Sequence, residues 1–330
     1  MELIQFGNTN LKVSKIGLGL AALGRPGYIN LEHGTDLKSD YEVQSMQLNT
    51  LKMLDLAYSN GIRYFDAARS YGKAELFLSE WIKSKDDKEH LTVGSKWGYT
   101  YTADWKVKTD KHEVKEHSIE VLNRQWSESK ELLSDRLNIY QIHSATLDSG
   151  VLENKDVLKK LWELRASGTV IGLTLSGVNQ TTTLQKALTI KRGNDFLFQS
   201  VQATWNILER STTDVLVEAS QAGFGVIIKE AVANGRLTNK NDETSFFNKK
   251  EQLKRIAKKY NVGIDAIAIA YILQQPWVST VLSGAVTNEQ LESNLKALKV
   301  KFGVRELNIL NSMVEIPEKY WKTRSELEWN

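Results

Sequence analysis

Eight short β-rich runs, each followed by a longer helical pattern, constrain this chain more than any other feature. The strand-like runs are Lys15–Leu20, Ile62–Asp66, Leu91–Lys96, Asn138–His143, Val170–Ser176, Phe198–Ala203, Gly225–Glu230 and Val278–Ser283. Helical spacing is read over Gln44–Ser59, Ala74–Ser84, Lys111–Leu133, Lys155–Ala166, Thr181–Ile190, Thr212–Ala222, Phe247–Tyr260 with Ile264–Gln274, and Asn288–Leu298. Such alternation builds parallel strand–helix–strand units, and eight of them close into a (β/α)8, or TIM-type, α/β barrel. An open doubly wound sheet is the competing architecture. It calls for G-x-G-x-x-G after the first strand, and Ile16-Gly17-Leu18-Gly19-Leu20-Ala21-Ala22 lacks the third glycine.

The 330 residues fit one barrel domain spanning 1–330, because no proline-rich or low-complexity linker divides them. Leu3–Phe6 and Leu11–Ser14 flank Gly7-Asn8-Thr9-Asn10 and read as an N-terminal hairpin that plugs the barrel floor. Three long loops, Ala21–Glu42, Trp97–Asp110 and Ser144–Asn154, follow strands and therefore belong to the top face, where barrel enzymes place their sites. Charge is mixed along the chain, as in Lys83–Glu89 and Lys108–Lys115, with a formal net charge of +3. That pattern describes solvated helix faces rather than a nucleic-acid stripe. The absence of cysteine excludes a disulfide scaffold and thiolate metal sites. No signal-like N-terminus or membrane-length apolar run is present, so a cytoplasmic protein without membrane or nucleic-acid partners is expected. The sequence leaves the oligomeric state open.

Three successive strand ends each carry an ionisable residue: Asp66, Lys96 and His143, with Tyr71 in the loop after the first of them. Carbonyl reduction needs a hydride at carbon and a proton at oxygen. A tyrosine can give the proton, although its ordinary pKa of roughly 10 is high for neutral pH. Lys96 is expected to draw that value down, Asp66 to hold Lys96 protonated, and His143 to orient the substrate oxygen. Taken singly, each has a plainer reading: Asp66 as a helix cap, Tyr71 as a half-buried ring, Lys96 as a surface lysine, His143 as a core histidine. Their convergence at one end of a barrel favours catalysis.

Phe65-Asp66-Ala67-Ala68-Arg69-Ser70-Tyr71-Gly72-Lys73-Ala74-Glu75 resembles the aldo-keto reductase signature D-x4-Y-G-x-x-E. Gly94-Ser95-Lys96-Trp97-Gly98 and Asn138-Ile139-Tyr140-Gln141-Ile142-His143 resemble that family's second and third elements, in order and spacing. The resemblance implies a catalytic tetrad of Asp66, Tyr71, Lys96 and His143, with Tyr71 as general acid/base. It implies a nicotinamide cofactor, NADP(H) with NAD(H) as the alternative, and a small carbonyl or alcohol substrate.

Strand eight runs through Ser283-Gly284 into the helix carrying Gln290 and Asn294, where a helix N-terminus and a side-chain-free residue suit a phosphate. Thr287 and Gln290 also read as a helix cap. This stretch is similar to the family's cofactor motif at Gly284, Gln290 and Asn294, with Ser293 in place of the usual glutamate and Val286 where a polar or basic residue is common. Ser176 and Gln202 correspond to carboxamide-holding positions, Gly177 replacing an asparagine beside the first. Lys229 stands where an aromatic residue usually stacks on the nicotinamide. Lys229 and Arg236 are phosphate candidates; a structural pairing of Lys229 with Glu230 is the plainer reading. Trp97, Tyr99, Tyr101 and Trp105 either line a substrate pocket or anchor their loop, with Trp97, Tyr99 and Trp105 taken as substrate contacts. Tyr320, Trp321 and Trp329 are expected to fold over the barrel. No metal is expected, since His112 and His117 are placed five apart on a helix and off a common face. A cofactor-binding regulatory protein of the channel β-subunit kind, with little turnover, is the rival function.

Overall fold

A computed structural model describes residues 1–85 and 90–330. Residues 86–89, the end of one of the mixed-charge stretches, lie outside the described residues. Antiparallel strands β1 (Leu3–Gln5) and β2 (Lys12–Ser14) form the anticipated hairpin. Strand β3 (Ile16–Gly19) opens the barrel, followed by β4 (Tyr64–Asp66) and β5 (Thr92–Trp97). After a short excursion, β6 (Tyr99–Tyr101) with β7 (Glu113–Lys115), comes β8 (Leu137–Ala145), then β9 (Val170–Leu175). Past a small hairpin, β10 (Lys191–Arg192) and β11 (Asp195–Phe196), the ring continues with β12 (Ser200–Thr204), β13 (Gly225–Lys229) and β14 (Thr280–Ser283). The eight parallel strands close in chain order, β14 pairing back onto β3. The (β/α)8 barrel read from the sequence is the observed architecture.

The strands are apolar nearly throughout because helices cover the outside of the ring and side chains fill its inside. Size complementarity packs the floor. Tyr64 reaches across the barrel, and a Cβ on Gly17 or Gly94 would lie 2.7 Å from its ring or hydroxyl. Phe6 from the hairpin stacks on Tyr64 at 6.5 Å between centroids. A Cβ on Gly225 would sit 2.4 Å from Phe6, so that glycine admits the plug. Phe6, Val13, Tyr64, Ile139, Val170 and Ile227 together form a separate apolar cluster that seals this end.

The helix expected over Lys111–Leu133 is shorter. Glu113–Lys115 instead pairs with Tyr99–Tyr101, and the helix occupies Ile119–Leu133, where Ser118 accepts a bond from the Val121 amide. The first eight residues of the expected span lack an apolar stripe at helical spacing, whereas Tyr99-Thr100-Tyr101 offers a strand partner. His112 and His117 therefore flank a strand and do not share a helix. Two further helices, Val304–Asn311 and Pro317–Ser325, close the chain. No helix among the described residues is long and apolar enough to cross a membrane.

Candidate active site

Asp66, Lys96 and His143 lie at or near the C-terminal ends of β4, β5 and β8, and Tyr71 follows β4 in the loop above. Parallel pairing sets Asp66 opposite Gly94 and Lys96 opposite Gln141. The β8–β9 ladder slips between Ile142 and Ala145, and Ser144 takes φ +53 there. This irregularity turns His143 towards the centre, as bulges do beside sites. The Ser144 amide, freed from the ladder, donates to Thr174 Oγ1 at 2.7 Å.

The four side chains meet in one place. Lys96 Nζ donates to Asp66 Oδ2 at 2.5 Å and to the Ala67 carbonyl at 2.8 Å. Lys96 Nζ lies 4.7 Å from the centroid of the Tyr71 ring, and the Tyr71 hydroxyl is 3.4 Å from His143 Nε2. Asp66 also accepts from the Tyr64 hydroxyl at 2.9 Å and from Gln202 Nε2 at 3.0 Å. A buried carboxylate is thus surrounded by one cation and two neutral donors, which fix its position.

The electrostatics correct one expectation. Burial pushes the Tyr71 phenol well above the ordinary tyrosine value, and Asp66 adds to the rise. Lys96 is not among the charges that act most on the phenol, and its partner Asp66 pushes the other way. The cation that pulls the phenol down is Arg25, a residue the sequence reading did not single out. Its guanidinium lies 5.4 Å from the Tyr71 centroid, donates to the Ser70 carbonyl at 3.0 Å and pairs with Glu113 at 2.8 Å. Burial lowers Lys96 despite Asp66. It also holds His143 well below the usual histidine value, helped by Lys96, Arg25 and Lys229, so His143 is a neutral imidazole. His117, lowered to about 4 chiefly by burial, braces it by donating to the His143 carbonyl at 2.9 Å.

A cleft of about 510 Å³ opens above these residues, within the range of small-molecule sites. Asp66, Tyr71, Tyr99 and His143 line one part; Ser176, Gln202, Lys229, Ser283, Gly284, Gln290 and Asn294 line the rest. A Cβ on Gly284 would meet no atom within 4 Å, so the space beside it belongs to the cleft. Asn294 Nδ2 donates to Ser283 Oγ at 2.8 Å, and Gln290 Oε1 accepts from the Val286 amide at 2.9 Å. The helix Asn288–Leu295 is capped by Thr287, whose hydroxyl receives the Gln290 amide at 3.3 Å. Lys229 Nζ donates to Thr204 Oγ1 at 2.8 Å and sits 3.9 Å from Glu230, so the structural pairing is present while the side chain still faces the cleft. Glu230 is chiefly neutralised by Arg324 at 2.7 Å.

Four of the nominated residues do not line the cleft, and one of them, Lys96, is fully buried beneath it behind Asp66 and Tyr71. Arg236 is buried and bound through both oxygens of Glu315, at 2.8 and 3.0 Å. Trp97 is fully buried in the core. Trp105 donates to the Tyr41 carbonyl at 2.6 Å and packs against Phe77, an anchor for its loop. Conversely, Arg25, Tyr28 and Trp329 line the cleft without having been nominated for the site. Trp329 stacks on His112 at 4.0 Å with Arg25 on its ring, and Asn330 pairs with the Tyr28 backbone in both directions. The chain end is strapped across the top face, as expected from its aromatic residues. Asn234 presents a buried Oδ1 with no partner at the cleft wall, an acceptor suited to a donor on a bound molecule.

The family model described as the Aldo/keto reductase family matches residues 15–315. Among curated relatives, "Protein tas" of Escherichia coli is 23% identical over 91% of this chain and 94% of its own. The "NADH-specific methylglyoxal reductase" of Escherichia coli is 22% identical over 97% of this chain and all of its own. Among solved structures, an aldo-keto reductase of Bacillus halodurans in its holo form superposes with a TM-score of 0.74, at 18% identity over 97% of this chain and 99% of that one.

Proposed function

Because the chain belongs to the aldo/keto reductase family, we propose that it is an NAD(P)(H)-dependent oxidoreductase interconverting an aldehyde or ketone and its alcohol, with Tyr71 as general acid/base. The observation that carries this is the Tyr71 hydroxyl, set 3.4 Å from a neutral His143 above the Lys96–Asp66 pair, at the floor of an open cleft. The cleft wall suits a dinucleotide: Ser176 and Gln202 for a carboxamide, Ser283, Gly284 and Gln290 at a helix N-terminus for phosphate, Lys229 as a point charge, and the unfilled Asn234 acceptor. When bound, the nicotinamide supplies or accepts the hydride.

The protein's own part is to place the carbonyl and handle the proton. A substrate oxygen within reach of both Tyr71 and His143 is oriented by two groups that are neutral at pH 7. Tyr71 carries the proton at neutral pH, and the cost of parting with it falls to its surroundings to offset. The charge it acquires on donating is met by Arg25 beside its ring. The Asp66–Gln202–Tyr64 bonds keep Lys96 from wandering. For alcohol oxidation the same groups act in reverse.

The test is spectrophotometric, following NADH and NADPH oxidation separately with a reactive aromatic aldehyde. Tyr71→Phe is expected to bind cofactor normally and to lose on the order of 100-fold or more in kcat. Activity retained within about tenfold, a barrier change near 1.4 kcal/mol, removes Tyr71 as the donor.

A further inference from the structure

The cleft end formed by two helix N-terminal regions, Ile264–Leu273 and Asn288–Leu295, is acidic. Asp265 and Ile269 face it from the first helix, and Glu289, Gln290 and Ser293 from the second. Gly263 sets the geometry: a Cβ there would lie 2.1 Å from Asp265 Oδ1 and 3.0 Å from Ser293 Oγ. The missing side chain lets the Asp265 carboxylate and the Ser293 hydroxyl gather beside the same point. No cation among the described residues pairs with Asp265. The lysine on the cleft's facing wall, Lys240, is already neutralised by Asp36 and has Glu32 4.0 Å away.

Those charges discriminate between two forms of a dinucleotide. A phosphate monoester on the adenosine ribose brings close to two negative charges and needs an unpaired cation. An unmodified ribose offers two adjacent hydroxyls, which a carboxylate accepts well. Placing a phosphate beside an unpaired carboxylate is repulsive, so the same residue attracts one form and rejects the other. Resting on the oxidoreductase reading above, we infer that Asp265, seconded by Ser293, receives the adenosine ribose diol and makes the protein selective for NAD(H) over NADP(H). This reverses the preference implied by resemblance, and it follows from Asp265 as much as from the neutral Gln290 and Ser293.

The experiment is equilibrium binding, read by quenching of intrinsic tryptophan fluorescence and by calorimetry, on the full chain without carbonyl substrate. Wild type is expected to bind NADH at least about tenfold tighter than NADPH, and ADP tighter than 2′,5′-ADP. Asp265→Asn should weaken NADH and bring the two within about threefold, and Asp265→Lys should favour NADPH. The fragment pair locates the discrimination at the adenosine end. Wild type binding NADPH as tightly as NADH or more so overturns the specificity while leaving the oxidoreductase reading standing. An Asp265→Asn variant that weakens both cofactors equally also overturns it. If neither dinucleotide binds, both readings fail.

Discussion

Lys229→Met should stabilise the protein at neutral pH while impairing it. Burial draws the Lys229 ammonium from the ordinary lysine value down to about 8, against the pull of Glu230. Glu230 lies 3.9 Å away, and Arg324 already answers its charge at 2.7 Å, so little is left to favour a second cation. At about 1.4 kcal/mol per tenfold change in proton affinity, the drop from 10.5 to about 8 corresponds to on the order of 3 kcal/mol. The sign follows from proton counting. Below pH 8 the folded and unfolded chains both hold the proton, and the folded state carries the whole penalty. Between pH 8 and about 10.5 the folded chain has released it and the unfolded chain has not, so wild-type stability climbs relative to the variant. Methionine fills similar space without a charge but forfeits the bond to Thr204, 2.8 Å long in the wild type. The expected gain at pH 7 is therefore about 1–3 kcal/mol. Urea unfolding at pH 7, 8.5 and 10, followed by tryptophan fluorescence and far-ultraviolet circular dichroism, measures it. Other titrating groups are common to both chains and cancel in the difference. A wild type at least as stable as the variant at pH 7, or a gap that does not close as pH rises, refutes the reasoning. The same variant should bind dinucleotide more weakly, because the lost charge faces the cleft.

Asp66→Asn removes the carboxylate charge that pairs with the fully buried Lys96, so it should cost about 3–5 kcal/mol at neutral pH, read from chemical denaturation, as well as most of kcat. Arg25→Met removes the cation that favours the Tyr71 phenolate and leaves Glu113 unpaired. Both changes raise the phenol's pKa, so the rising limb of kcat/KM for alcohol oxidation should move to higher pH; an unmoved or acid-shifted profile excludes Arg25 from tuning Tyr71.

The strands and the tetrad were legible for the same reason. A barrel strand is a short apolar run whose end is marked by the first charged or polar residue, so Asp66, Lys96 and His143 announce both the element and the face at once. The tetrad's supports were less visible. Gln202 was assigned to a cofactor carboxamide, yet its amide nitrogen donates to Asp66, 136 positions earlier in the chain. Arg25 reaches Glu113 across 88 positions, and Trp329 meets His112 at the other end of the molecule. No local period encodes such contacts, because they join loops whose paths depend on the finished barrel. The strand Glu113–Lys115 hid likewise: three alternating residues acquire meaning only beside Tyr99–Tyr101.

Residue type also says little about the direction in which an environment pushes it. Two arginines within the top-face loops had equal claim to a ligand by composition. One, Arg236, is closed off by both oxygens of Glu315, and the other, Arg25, shares one carboxylate and stays beside the Tyr71 phenol in the cleft. The same holds for the lysine beneath Tyr71. A lone ammonium would have lowered the phenol's pKa, but here burial raises it most and the ammonium's carboxylate partner raises it further. Function at this site therefore turns on which charges remain unpaired after folding. At the far end of the cleft that count separates Asp265, left without a cation among the described residues, from Lys240, which is paired with Asp36.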